Sequence, residues 1–203
     1  MLRRTSINTI NLKLKNNPNW NVLDIGCGYT ANKNAKIVAD TQDLSNFYKD
    51  KKFIKLYEKS LPFKDKEFDF VVASHVMEHV EDVEFFIKEL ERVSKKGYVE
   101  LPTKLEDNLV FENKKDHLWH MDYDDVENKL LISKKVQYFE PILTVSTIKK
   151  LNEVFRTSLV LELIWEDRII YTVSQTTEDT LKKISILNLL KKYFSKRLRM
   201  LFK

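Results

Sequence analysis

Three glycines occur in the chain, and two of them, Gly26 and Gly28, directly follow the apolar run Val22-Leu23-Asp24-Ile25. Glycine after a strand lets the backbone turn sharply and approach a ligand closely. Such a pair often serves packing alone, so its meaning depends on its neighbours. Asp24 sits just before it. In a dinucleotide site this loop faces a pyrophosphate, which a carboxylate opposes. A nucleoside ligand carrying an ammonium or a sulfonium would be attracted instead. Asp40 ends the next apolar run, where a carboxylate can accept bonds from both ribose hydroxyls. Glu58 stands before Leu61-Pro62-Phe63, and Phe68-Asp69 opens a further apolar run. All three features fall at the carboxyl ends of neighbouring predicted strands, where open α/β sheets bind ligands.

The four histidines lie in two places, His75 and His79, then His117 and His120. His75-Val76-Met77-Glu78-His79 spells H-x-x-E-H, a zinc-peptidase pattern. The strand before it and the glycine loop upstream argue against a peptidase, which needs a mainly helical context. His79 has two readings: a helix residue with its ring nitrogens satisfied, or a general base, for which an ordinary pKa near 6.5 is suited. His117 is open to the same two. Trp119 reads as core or lid packing and Glu78 as a cap or solvated helix residue. The catalytic candidates are His79 and His117; no metal ligand is assigned.

Strand-like runs at 20–25, 36–39, 53–57, 68–73 and 98–101 must position these residues. A helix over 83–94 follows from apolar residues at Val83, Phe86, Ile87, Leu90 and Val93, with Asp82 as its cap. The alternation predicts a doubly wound, mostly parallel sheet. Residues 104–140 read as an insertion over the ligand crevice, holding a small hairpin of 119–123 with 129–132. A helix is expected over 145–155, and an antiparallel terminal hairpin from 158–165 and 168–174. The predicted division is a lead-in at 1–19 with a short helix, a main domain at 20–176 and a helical tail at 177–203.

The net charge of +5 is unevenly placed. Residues 180–203 hold eight basic side chains and no acid, leaving 27 basic against 30 acidic residues elsewhere. A mildly acidic body argues against nucleic acid as a partner, whose footprint is a basic face. The tail's apolar residues, Leu181, Ile184, Leu187, Leu190, Phe194, Leu198 and Leu201, recur at helical spacing. Such a basic helix suits an anionic membrane surface, its own body or a second subunit. The single cysteine, Cys27, excludes an intrachain disulfide and suits a reducing compartment. Neither a secretory signal nor a membrane span is found. The expected location is the cytoplasm, with peripheral contact at the inner membrane face as a further reading.

Leu23 to Gly28, Ala39-Asp40, Glu58 with Leu61-Pro62-Phe63, Glu67-Phe68-Asp69, Ser74 to Val80 and Gly97 to Pro102 together resemble the class I S-adenosylmethionine-dependent methyltransferases of the small-molecule type, over roughly residues 20 to 135. The resemblance implies a Rossmann-like seven-stranded sheet with an antiparallel edge. It implies that Asp24, Gly26, Cys27 and Gly28 hold the methionine end of S-adenosylmethionine, and Asp40 the ribose. It places Glu58 and Lys59 beside the adenine, and Ser74 and His75 beside the methyl group. The chain departs from the family at Thr30, where a third glycine is common. Only eleven residues separate Gly28 from Asp40, so 29–35 is expected as a loop or single turn. A subgroup of methyltransferase-like proteins is similar in this shortening, in Ser-His-Val-x-Glu-His and in a later His-x-Trp, here His117-Leu118-Trp119. Ubiquinone-biosynthesis O-methyltransferases are similar at Glu78-His79 and can use the pair for a divalent metal, but His75 stands where their first carboxylate lies. The implied function is methyl transfer to a small-molecule or glycan-type acceptor at oxygen. The alternative is an inactive member of the fold serving as a binding module.

Overall fold

The computed structural model describes residues 1–174 and 184–201. Its centre is a seven-stranded sheet of β1 (Leu2–Arg4), β2 (Val22–Ile25), β3 (Ile37–Asp40), β4 (Lys52–Lys55), β5 (Phe70–Ser74), β6 (Lys96–Pro102) and β9 (Val160–Glu166), in the order β1-β9-β6-β5-β2-β3-β4. The five strands from β4 to β6 are parallel to one another, while β9 runs antiparallel to both β6 and β1. This is the expected α/β sheet with an antiparallel edge. β2 and most of β5 are buried, as strands covered on both faces must be.

Side-chain alternation divides the sheet's two cores. Leu23, Ile25, Val71, Ala73, Leu161, Leu163 and Trp165 pack with α2 (Val83–Val93) and with a smaller sheet. Val22, Val38, Phe70, Val72 and Ile164 pack instead with Ile10 and Leu14 of α1 (Ile7–Lys15). The predicted stripe of α2 is buried throughout, and the Asp82 carboxylate accepts the Phe85 N–H at 2.9 Å, as a cap should. No helix forms between β2 and β3, as the short spacing predicts. α1, which precedes β2, covers that face, and Asn32 Nδ2 of the linking loop donates to Asn11 Oδ1 of the helix at 2.8 Å.

The terminal hairpin is not formed. β10 (Tyr171–Ser174) leaves the main sheet and pairs in parallel with β8 (Lys129–Lys134), which pairs antiparallel with β7 (Trp119–Asp124). β9 takes β1 as its outer neighbour, so the segment read as a lead-in supplies a sheet strand. Gly97 contributes to this side: a Cβ there would lie 2.5 Å from Trp165 Nε1 and 2.7 Å from the Val71 carbonyl oxygen. The expected β7–β8 hairpin forms, with Tyr123 opposite Leu130 and Met121 opposite Ile132. The insertion also forms two short helices not foreseen, α3 (Lys104–Leu109) and α4 (Asn113–Asp116). α5 (Val145–Leu159) runs into β9, and α6 (Ile186–Leu201) lies in the tail; Leu181, Lys182 and Lys183 fall outside the described residues. No helix among the described residues is long and apolar enough to cross a membrane.

A buried polar network joins these layers. Tyr98 Oη donates to the carboxylates of Glu100 and Glu162, and Arg156 bonds the same two residues at 2.7 and 3.0 Å. Glu162 Oε1 also accepts the Ile7 N–H at 2.7 Å, at the open N-terminus of α1. The edge of the sheet, α1 and α5 are thereby fixed to the strand that carries Glu100.

Candidate cofactor and active site

Every sequence-predicted cofactor residue lies at the carboxyl edge of the parallel strands, as the topology requires. Two cavities meet there. One, of about 610 Å³, is lined by Asp40, Glu58, Lys59, Leu61 and His79 among others. The second, of about 860 Å³, includes Asp24, Cys27, Gly28, Ser74, Glu100 and Arg156. Gly26 and His75 line both. Gly26 has φ +64°, and a Cβ would stand 2.4 Å from Val76 Cγ2, so glycine is required on steric and backbone grounds alike.

Asp24 is buried, and its Oδ2 accepts the Asn32 N–H at 2.6 Å. Burial pushes its carboxyl up to about 7; the Asn32 amide and Lys51 oppose the rise, and Asp40 adds to it. The anion is therefore costly until a cation arrives. Asp40 accepts the Gly28 N–H at 2.9 Å through Oδ2 and the Gln42 N–H at 2.9 Å through Oδ1. Each carboxylate oxygen keeps a further lone pair for a ribose hydroxyl. Burial pushes the Cys27 thiol up to about 12, so Cys27 packs and is no nucleophile. Glu58 and Lys59 are exposed on the wall of the first cavity, and Lys59 Nζ bonds Glu81 Oε2 at 2.9 Å.

The loop carrying Leu61-Pro62-Phe63 is pinned from α2. Glu89 Oε2 accepts the Leu61 N–H at 2.7 Å, while Arg92 donates to Glu89, to Asp65 and to the carbonyl oxygens of Leu61 and Phe63. The sequence flagged the motif but not these anchors.

His75 has φ +55°, in the left-handed region that non-glycine residues seldom occupy. Its N–H donates to the Glu100 carbonyl at 2.8 Å; Nδ1 lies 3.2 Å from Glu78 Oε1 and Nε2 lies 3.3 Å from Glu100 Oε1. Burial works against charge on this ring, but the bonds to Glu100 and Glu78 outweigh it and push its pKa up to about 10. At neutral pH His75 is an imidazolium between two carboxylates.

Residues 77–79 form a turn rather than the start of a helix, which revises both expectations for them. His79 is exposed, and Glu78, expected as a cap or a solvated helix residue, is fully buried. Three bonds dock the insertion on this turn: the Leu118 N–H to the Glu78 carbonyl at 2.7 Å, His79 Nδ1 to the Asp116 carbonyl at 2.9 Å, and Trp119 Nε1 to the Val80 carbonyl at 2.8 Å. Trp119 is thus a buried anchor, as read. His117 Nδ1 bonds Asp107 Oδ1, and His120 bridges Asp107 Oδ2 at 3.0 Å and the Val136 carbonyl at 2.8 Å. The His79 and His117 rings meet edge to face, 4.5 Å between centroids. A carbonyl or carboxylate oxygen only accepts, so both Nδ1 atoms carry hydrogen and the Nε2 atoms of neutral rings hold the free lone pairs. The two catalytic candidates, far apart in sequence, are brought together; Asp107 and Glu100, which hold the histidines, carried no signal of their own.

The sheet order and the glycine turn after β2 define a Rossmann-like α/β domain. Residues 23–99 match the family described as a methyltransferase domain. No curated relative matches. Among solved structures the chain is similar to the YcgJ protein from Bacillus subtilis, at 22% identity and TM-score 0.40 over 48% of this chain and 52% of that one. It is similar to the methyltransferase CalH complexed with SAH, at 16% identity and TM-score 0.40 over 47% and 35%. A SAM-dependent methyltransferase from Aquifex aeolicus matches at 14% identity and TM-score 0.40 over 76% and 88%. The chain spans about half the length of the first of these and about a third of the second.

Proposed function

We propose that the protein transfers a methyl group from S-adenosylmethionine to a small-molecule or glycan-type acceptor, at oxygen. The observation that carries this reading is the pair of cavities joined over Gly26, with Asp24 at one end and Asp40 and Glu58 at the other. These residues fit an elongated ligand with a cationic amino-acid end and a nucleoside end. Gly26, Cys27 and Gly28 border the methionine end, Lys59 the adenine, and Ser74 and His75 the reacting centre. When bound, the cofactor supplies an electrophilic methyl on a sulfonium. The chain's own part is positioning and exclusion of water, which displacement at a sulfonium chiefly needs.

An acceptor hydroxyl must also lose its proton. His79 lines the first cavity and the His117 ring meets it edge to face; the Nε2 of either ring, left free by the Nδ1 bonds, serves as general base. Calorimetry with S-adenosylmethionine tests the reading first, followed by mass analysis of hydroxylated small molecules and oligosaccharides incubated with protein and cofactor. Saturable binding and a gain of one methyl at oxygen are expected. Failure to bind at millimolar cofactor overturns the reading, and binding without transfer to any acceptor favours a binding module. The exposed basic helix α6 is proposed to place the protein on an anionic membrane surface, with self-association as the competing use.

A further inference from the structure

We propose that the second cavity receives the acceptor and selects one bearing an oxyanion, a carboxylate or a phosphate, which Lys15, Lys33 and Arg156 hold. This rests on the proposed methyl transfer and deepens it by naming a substrate class. The cavity, of about 860 Å³, lies between α1, the 29–35 loop, the ends of β5 and β6, and α5. Cavities of roughly 300–1,000 Å³ take a whole small-molecule ligand, so the amino-acid end of a cofactor leaves room here for a second molecule. Ser74 and His75 line the same cavity, so an acceptor gripped by its acid can present a separate hydroxyl to the reacting centre.

Charge decides what that molecule is. Outside residues 180–203 the chain holds 27 basic and 30 acidic residues. Around this one cavity the balance is reversed. Four cations line it, Lys15, Lys33, Arg156 and the His75 imidazolium, against two carboxylates, Asp24 and Glu100. Glu100 is already engaged: Tyr98 Oη and Arg156 Nη2 donate to its Oε2, and His75 Nε2 lies 3.3 Å from its Oε1. Asp24 faces the cationic end of the cofactor in the proposed binding mode. S-adenosylmethionine itself has two positive centres and one carboxylate, so the loaded cavity is more cationic still. A cleft with an excess of one sign of charge attracts ligands of the other.

The cations also have donors to offer. Arg156 uses Nε and Nη2 on Glu162 and Glu100, and its Nη1 has no bond among the described residues. Those bonds fix the guanidinium plane, so Nη1 is a preorganised donor. Lys15 and Lys33 are exposed, and neither ammonium pairs with an acid among the described residues. Each is a point charge with three donors, which suits a carboxylate and a phosphate alike. Asn11 accepts from Asn32 through Oδ1 at 2.8 Å, which leaves its Nδ2 as a further donor on the same lining.

The test is calorimetry on the full-length protein, with and without saturating S-adenosylhomocysteine. Glucuronate and glucose 6-phosphate are the acidic probes, and glucose is their neutral counterpart. Both acids are expected to bind about tenfold tighter than glucose or better, with affinity falling as salt rises. A Lys15→Gln, Lys33→Gln double variant changes only exposed side chains and keeps its fold by circular dichroism. It is expected to lose most of that tenfold preference while binding S-adenosylhomocysteine as wild type does. Acids that bind no tighter than glucose overturn the proposal. So does a double variant that keeps the full preference. A variant that loses affinity for S-adenosylhomocysteine instead also overturns it, because the lysines then serve the cofactor's own carboxylate. Wild-type protein that fails to bind S-adenosylhomocysteine counts against methyl transfer, and the cofactor-free titrations still decide the oxyanion site.

Discussion

Asp24 concentrates the chemistry of the proposed cofactor site in one protonation equilibrium. Its ordinary pKa of 3.8 is raised to about 7 in the folded chain, chiefly by burial. The folded state therefore holds a proton that the unfolded state has lost, and this group's contribution to stability falls as pH rises from about 4 to 7. Asp24→Asn removes that loss, and denaturant unfolding at pH 8 should show a more stable protein, by up to about 4 kcal/mol. On the proposed function, the same group should make cofactor affinity rise with pH. A cation binds the carboxylate and not the carboxyl, so calorimetric affinity for S-adenosylmethionine should climb through pH 7 and level off above it. Asp24→Asn should bind weakly with a flat profile; a variant that keeps the wild-type pH dependence would assign it to another group.

The loop at 60–65 is an element that depends on one helix side chain. Arg92 donates to both Glu89 oxygens, to two loop carbonyls and to Asp65, and Glu89 in turn holds the Leu61 amide. Arg92→Ala leaves the mostly buried Glu89 without its cation, and should cost about 3 kcal/mol by chemical denaturation. Because Leu61 lines the first cavity, cofactor affinity should weaken with it, and unchanged affinity would detach the loop from the site. Such pairings explain what the sequence did and did not disclose. Strands β2, β3 and β5, the α2 stripe and the carboxylates at their ends were legible because periodicity and turn chemistry are local properties. β1 has three residues and no period of its own; only the antiparallel register of Leu2 with Trp165 makes it a strand. β10 carries an alternating pattern that fits either partner, and the choice of β8 over β9 is made by tertiary packing. Glu78 shows the same limit within the site: its spacing suggested a solvated helix, and only the docked insertion buries it. His79 and His117 were legible as types, but their convergence depends on Leu118 and Trp119 anchoring to the 78–80 turn.

At the scale of the molecule, α6 is a surface looking for an interface. Leu187, Leu190, Phe194 and Leu198 are all exposed, and the described part of the helix carries Lys191, Lys192, Lys196, Arg197 and Arg199 without an acid. Co-sedimentation with vesicles containing phosphatidylserine should fall sharply on removing residues 184–203 and on raising salt. Equal binding by both forms would dispose of the membrane reading, and concentration-dependent mass in solution would favour self-association. The sheet edge at the other end of the chain has a consequence for synthesis. Leu2–Arg4 leave the ribosome long before their partner β9, which is more than 150 residues behind them. β6 likewise gains its outer neighbour only when β9 arrives, and β9 is flanked by both. A nascent chain halted before residue 160 would therefore expose one finished strand edge and an unpaired N-terminal segment. Its vulnerability to aggregation should end abruptly when that last strand slides between the two that wait for it.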